Sequence, residues 1–297
     1  MNNHLKSKNS NFKIISIYYL SILLLTIYST YKYGVFLYQK QLISFIVIFK
    51  PLILVLLSIF IPIVINYLYY KMKNIKYNIK NDYDPIFFTL ITLTLPININ
   101  VLIYALFLII FSIIKLFYKL KLNYYSIYKL LFIILLIVLN KYSYLSLYDL
   151  NIETNFTTLD LFLGRSIGGL STSNILLLLI IYLILFLNKA YKKDIPIYSF
   201  VSYFISLIIY SILFRKSIII NIKELISSEF IFGIILISTI PHFSPVENKD
   251  KIVYGLLVGI LSFIFNKLTN IYEGIFIAIV ISNIIIYIYQ KLREVKK

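Results

Sequence analysis

Two sets of residues in this 297-residue chain have types and spacings suited to chemistry. The first is the stretch TNFTTLDLFLGRSIGGLSTSN, from Thr154 to Asn174. It is dense in hydroxyls and holds Gly164, Gly168 and Gly169, three of the chain's eight glycines, with Arg165 among them. Hydroxyls and backbone N–H groups freed by glycines can face an anion, and the N-terminus of a following helix adds partial positive charge. Composition alone favours the plainer reading, a solvated connector with glycine turns. The run GRSIGG is not followed by GK[ST], so it is not a Walker phosphate loop.

The second set is a pair of matched segments, DPIFFTLITLTLP (84–96) and EFIFGIILISTIP (229–241). Each opens on an acid (Asp84, Glu229) and ends on proline, with Phe at the fourth place (Phe87, Phe232) and Thr two before the proline (Thr94, Thr239). All four correspondences share one offset of 145 residues, about half the chain. At ~1.5 Å per residue each segment covers roughly 18 Å, whereas a bilayer core of ~30 Å needs about 20 helical residues. These read as half-helices. Such broken helices place ligand or ion sites near the bilayer midplane, with carboxylates and hydroxyls as cation ligands. The structural alternative is that an acid at a helix N-terminus is held there by the dipole. The threonines would then only satisfy freed carbonyls.

The elements that must carry these residues are set by composition. The chain is 60% hydrophobic and 14% charged, with a mean hydropathy of +0.89. Soluble domains are about 45–50% apolar and roughly 25% charged, so this is an all-α integral membrane protein. It has no cysteine, which excludes disulfides, thiolate catalysis and cysteine-ligated iron–sulfur clusters in this chain. Its two histidines, His4 and His242, stand far apart, which argues against a histidine-rich metal centre. With no Trp, the 28 tyrosines must supply the interfacial belts.

Apolar runs predict ten spans near 14–36, 49–70, 85–95, 98–118, 129–140, 174–188, 197–214, 229–240, 252–266 and 271–289. If the N-terminus is cytoplasmic and the spans alternate, 20 of the 29 basic residues face the cytoplasm. That is the positive-inside bias, with both termini inside. It also accounts for the net charge of +17 without invoking nucleic acid. The polar N-terminus lacks a small-residue cleavage site, so the first span reads as a retained anchor. Asp84 and Glu229 each open the third span of a five-span half, and an odd number of spans inverts one half relative to the other. The expected organisation is a first half over 1–140, an inter-repeat loop over 141–173 on the outer side, and a second half over 174–297.

An ordered series of segments resembles a known family. NIETNFTTLDLFLG (151–164), SIGGLS (166–171), KKDIPIYSF (192–200), IPHFSPVENKDKIVYGLLVG (240–259) and YEGIFIAIVISN (272–283) resemble, in order, motifs of the D-type membrane subunit of Rnf-type ion-translocating electron-transport complexes. They are also similar to motifs of the B-type membrane subunit of the Na⁺-translocating NADH:quinone reductase. In the first half, FFTLITLTLP (87–96) resembles the family's segment more loosely. The length fits the Rnf-type protein better.

The resemblance implies a redox subunit that bears flavin. A threonine of the family loop carries FMN through a phosphoester bond installed by a flavin transferase, and the matching position here is Thr157. It further implies a second, non-covalent flavin and iron–sulfur and flavin partner subunits in a lipid bilayer. Electron flow would be coupled to Na⁺ or H⁺ movement. Several positions depart from the family pattern. Its leading Asp is Asn151, its Ser is Thr154, and its small residue before the acceptor is Phe156. The Glu and Thr of its second motif are Gly169 and Leu170, and the Asp of its DP pair is Ile240. Thr157 is therefore either the FMN acceptor or an ordinary loop threonine, with Thr158 as a substitute acceptor.

For the flavin phosphate, Arg165, Ser166, Ser171 and the amides near Gly168 are the candidate donors. Arg165 also reads as a solvated cation, and Asp160 either as a helix-start acid or as a group that orients a hydroxyl or the isoalloxazine edge of the flavin. Asp84, Thr94, Glu229 and Thr239 are the candidate ion path. Asn283, in mid-span, needs a partner. His242 reads as interfacial, and Lys50 as a cation that snorkels to the outer face. The expected function is a flavin-bearing, ion-path subunit of an Rnf-type complex in the bacterial cell membrane, inactive alone. The alternatives are a transporter or channel with the same half-helices, or a cofactor-free structural subunit.

Overall fold

The computed structural model describes residues 8–79, 82–117, 123–139, 157–165, 168–227, 229–269 and 273–295. Among them there is no strand. The helices are α1 (Lys8–Thr30), α2 (Phe36–Gln39), α3 (Lys50–Met72), α4 (Asp84–Thr92), α5 (Val101–Phe117), α6 (Tyr124–Val138) and α7 (Thr158–Phe162). They continue with α8 (Ile175–Phe186), α9 (Asp194–Leu213), α10 (Ile218–Ser227), α11 (Phe230–Phe232), α12 (Asn248–Thr269) and α13 (Gly274–Val295). A π-helical turn, Tyr31–Val35, joins α1 to α2, and a second, Gly233–Ile237, extends α11. A fully helical backbone is what a bilayer demands, since every internal N–H and C=O then finds its partner within its own segment.

Four helical segments are long and apolar enough to cross a membrane: Ile15–Gln39, Phe45–Met72, Asp194–Leu213 and Gly274–Arg293. Val101–Phe117, Tyr124–Val138 and Ile175–Phe186 are apolar but shorter. The helix α10 was not expected from the sequence; it is short and rich in β-branched isoleucine, which weakens a helical signal.

The chain forms two compact units. The first holds α1 to α5 and the C-terminal part of α8. Here α3 packs on α1, α4 and α5. All nine residues of α4 are buried, so it is a core half-helix, short as expected. Pro85 stands at its start, where a missing N–H costs nothing and the fixed φ suits the helix. Its last turn is closed by the Thr92 hydroxyl, which donates to the Phe88 carbonyl at 2.8 Å.

The second unit holds α6, α7, the start of α8, and α9 to α13, together with Thr94–Asn98. Its centre is α12, packed on α9 and α13. The close approach is made by Gly255 and Gly259, four residues apart on one face of α12. A Cβ at Gly255 would stand 2.9 Å from the Tyr198 Cβ and 3.0 Å from the Ile195 carbonyl oxygen; at Gly259 it would overlap Ser199 and Ser202. This is the small-residue stripe by which membrane helices approach without a hydrophobic drive between them. Ser202 uses the proximity to donate to the Leu256 carbonyl at 3.1 Å. The helix α6, expected as the last span of the first half, packs on α13 in this unit. The second half-helix is α11 with its π turn, buried from Phe230 to Ile237.

Candidate functional site

The hydroxyl-rich loop is organised around Asp160. Thr157 caps α7: its hydroxyl oxygen accepts from the Asp160 N–H at 3.2 Å. The same hydroxyl donates to the Asp160 carboxylate at 2.7 Å, and the Thr157 N–H donates to it at 3.0 Å. This is a reciprocal capping box. Arg165 reaches the other carboxylate oxygen at 2.7 Å. The hydrogen bonds from the Thr157 hydroxyl and backbone, and then Arg165, hold the Asp160 carboxyl below its ordinary range. The ionised carboxylate thus polarises an exposed threonine hydroxyl beside a guanidinium that is 68% exposed. All three residues stand out in the sequence; that Asp160 joins the other two does not.

The rest of the loop behaves differently. Ser166, the bonds of Thr154 and the placement of Asn151 and Phe156 lie outside the described residues. Gly168 and Ser171 are buried. The Gly169 N–H donates to the Thr172 hydroxyl at 3.0 Å, and Ser173 donates to the Gly164 carbonyl at 3.2 Å. This turn docks on the end of the first matched segment: the Leu170 N–H donates to the Leu95 carbonyl at 3.0 Å. At Gly169 a Cβ would collide with the Thr94 backbone, so a glycine is required there by a close approach. Thr157, Asp160 and Arg165 are therefore gathered at an exposed edge, while Gly168 and Ser171 belong to a packed turn.

The two half-helix acids are each ion-paired. In the first unit Asp84 is 3% exposed and pairs with Lys115. Asn66 bridges it to Asp82, donating to the two carboxylates at 2.8 and 2.7 Å. Asp82 also accepts from Tyr77 and from the Asp84 N–H. Burial, and then the charge of Asp84, push the Asp82 carboxyl up, against the hydrogen bonds that it accepts.

In the second unit Glu229 precedes the half-helix and pairs with Lys129 of α6. The two side chains are 1% and 0% exposed. The Lys129 ammonium also feels the charge of Glu273, itself buried, and lies 3.9 Å from the centre of the Phe276 ring. A buried lysine thus answers two buried carboxylates, each just ahead of a helix: Glu229, with which it pairs, and Glu273, whose charge it feels. The sequence does not single out Lys129 or Glu273, because the lysine counts there as a cytoplasmic charge. A signal was present: Tyr125, Tyr128, Lys129, Phe132 and Leu136 share one buried stripe of α6, and a lysine on such a stripe needs a carboxylate.

The remaining candidates have local partners. Thr239 donates to the Ile235 carbonyl at 2.7 Å and Ser238 to the Ile234 carbonyl at 2.8 Å, which satisfies carbonyls at the broken end. Thr94 is buried, its backbone under Gly169. Asn283 donates to the Tyr254 hydroxyl and the Ile279 carbonyl, both at 2.8 Å. With His242 and Tyr254 it lines a cavity of about 510 Å³. Lys50 opens α3 and is partly exposed.

All-helical architecture, apolar helices long enough to span and buried half-helices with paired acids define a multi-pass integral membrane protein. Residues 128–295 match the NQR2, RnfD, RnfE family, and the chain belongs to that family. It is similar to the D-type subunit of the ion-translocating oxidoreductase complex of Methanosarcina acetivorans, 30% identical over 125 residues. The alignment covers 42% of this chain and spans 41% of the relative's length.

Proposed function

We propose that this chain is the flavin-bearing, ion-path membrane subunit of an Rnf-type complex. Such a complex moves Na⁺ or H⁺ as electrons pass between flavins and iron–sulfur clusters of partner subunits. The observation that carries this reading is the Thr157–Asp160–Arg165 arrangement in a chain of the NQR2, RnfD, RnfE family. The name of the archaeal relative points the same way.

The residues present fit a covalent FMN. Esterification would exchange the hydroxyl O–H for an O–P bond as the transferase breaks the phosphoanhydride of a flavin dinucleotide donor and the nucleotide leaves; it needs an accessible hydroxyl whose proton has an acceptor, and Thr157 is exposed with its proton directed at Asp160. The sequence has Asn151 where the family has a carboxylate, and Asp160 supplies one instead. Arg165, on the far oxygen of Asp160, would exchange that contact for the phosphate, where a guanidinium binds bidentately. When bound, FMN supplies one- and two-electron chemistry. The protein's own part is to hold the phosphate at an exposed edge and to keep the hydroxyl oriented. A second, non-covalent flavin belongs to the same reading.

The ion path would use the charged pairs at the half-helices. Asp84 with Lys115 and Glu229 with Lys129 place titratable groups where broken helices concentrate partial charge. The chain would sit in the bacterial cell membrane with both termini cytoplasmic. Its partners would be further membrane subunits, iron–sulfur and flavin subunits, and the flavin transferase. The test is purification from the native host in mild detergent. Co-purification with redox subunits and a flavin spectrum is expected. A homogeneous particle of this chain alone that carries a small solute would overturn the reading in favour of a transporter.

A further inference from the structure

The cavity of about 510 Å³ beside α13 lies wholly in the second unit, apart from the Thr157 edge and the paired acids. Its α13 wall is Asn283, Ile286, Tyr287, Gln290 and Arg293, which form one helical stripe. From Arg293 back to Asn283, at ~1.5 Å per residue, the stripe is roughly 15 Å long. That is about half of a ~30 Å bilayer core. Asn283 is the tenth residue of the 20-residue span Gly274–Arg293, so the stripe runs from the end of the span to its middle. A second wall is the non-helical segment 242–247, which leads from the second half-helix to α12. Irregular backbone at membrane depth is tolerated where it is buried in protein or lines a water-filled cavity.

Exposure falls along the cavity. At the mouth His242, Val246 and Glu247 are exposed, and Arg293 pairs with Glu247 at 2.6 Å. At the inner end Ile286, Asn283 and Tyr254 are 5%, 6% and 1% exposed. That inner end is nonetheless polar. The Asn283 amide N–H groups go to the Tyr254 hydroxyl and the Ile279 carbonyl, both at 2.8 Å, which fixes the amide's orientation. Its Oδ1 and the Tyr254 phenolic proton then have no partner among the described residues. An acceptor and a donor side by side at the floor of such a cavity hold water, whereas an all-apolar cavity stays dry. Polar side chains in mid-span that face a wet cavity mark substrate and ion pathways.

The geometry points to an aqueous half-channel: water and small monovalent cations enter past Glu247 and Arg293 and reach Asn283 and Tyr254 at mid-membrane, beside the exit of the second half-helix, and go no further. A closed inner end keeps the membrane sealed, and an open mouth puts the bulk phase of one side in contact with the midplane, where broken helices place their ion sites. The use of the half-channel as a route for the coupling ion rests on the ion-path reading. Its wetness does not, because that follows from the lining and the orientation of two side chains. Failure of the one is therefore distinguishable from failure of the other.

The experiment is cysteine accessibility in sealed native-membrane vesicles of both orientations, with single cysteines placed in a chain that has none. The probe is a permanently charged trimethylammonium methanethiosulfonate, itself a small monovalent cation that does not cross lipid. Modification is read on this chain's own band as protection from a later maleimide. Gln290→Cys, Ile286→Cys and Asn283→Cys should all react, in falling order with depth. Ile285→Cys lies at the same depth on the other side of α13, 39% exposed to the surroundings of the chain. A thiol facing lipid stays protonated and inert, so Ile286→Cys should react about tenfold faster than Ile285→Cys, or more. Reaction is expected from one side only, which on the predicted topology is the cytoplasmic side. An Ile286→Cys variant no faster than Ile285→Cys would refute the half-channel, and equal reaction from both sides would replace it with a through pore. Should Asn283→Cys fail to fold, the comparison of Ile286→Cys with Ile285→Cys decides by itself. Loss of flavin from the native complex would remove the ion-path reading and leave these rates unchanged.

Discussion

At the scale of single residues, burial determines which charges matter. Lys129 and Glu229 are both within 1% of complete burial, so neither can fall back on water if its partner is lost. Removing one member of a buried pair costs roughly 3–5 kcal/mol, whereas replacing both with apolar or neutral groups is far cheaper. Lys129→Met should therefore lower the unfolding free energy in detergent by about 3–5 kcal/mol, and Lys129→Met with Glu229→Gln should recover much of it. A single variant as stable as wild type would mean that the pair is not formed. Lys115 is 22% exposed, but its loss would leave Asp84, whose side chain is 4% exposed, buried without its cation, so that change too should be clearly destabilising. The acids of these pairs were legible in the sequence because they stand at the starts of two matched segments. The lysines were not, because a basic residue at the end of an apolar run looks the same whether it snorkels or turns inward. Only the three-dimensional packing of α6 on α13 shows that Lys129 turns inward.

At the scale of elements, the short spans were readable and their surroundings were not. An acid and a proline at the two ends of a 13-residue apolar segment are enough to predict a half-helix, since length against bilayer thickness is a one-dimensional argument. That one half-helix is regular and the other contains a π turn depends on what each packs against, and no periodicity announces it. The same holds for α12. Its two glycines are visible in YGLLVG, but their purpose appears only when α9 lies across them. Gly259→Leu would force a side chain into Ser199 and Ser202. A loss of about 1–3 kcal/mol is expected, with a matching fall in detergent-extracted folded protein. Unchanged thermal stability of that variant would show that α9 and α12 do not meet there. The inter-repeat loop divides in the same way: hydroxyl and glycine density marked it as unusual, yet much of that polarity serves the packed turn at 168–173 rather than an exposed site.

At the scale of the whole molecule, the distribution of basic residues predicts an orientation. On the topology that positive-inside bias predicts, the loop before α8 lies outside and the end of α13 inside. A chain without native cysteine allows this to be tested one residue at a time. Leu163→Cys, at an exposed position, should react with an impermeant maleimide in intact cells, and Lys291→Cys only after permeabilisation. The opposite pattern would invert the topology. The most direct measurement, however, concerns the flavin. The chain, expressed with its flavin transferase and partner subunits, would be separated on a denaturing gel and viewed under ultraviolet light. We expect yellow-green fluorescence at the 34.9 kDa band, retained in Thr158→Ala and abolished in Thr157→Ala, with both variants present in the membrane at wild-type level. A dark wild-type band, from a native complex whose copy of this chain also holds no flavin, would contradict the flavin-bearing role.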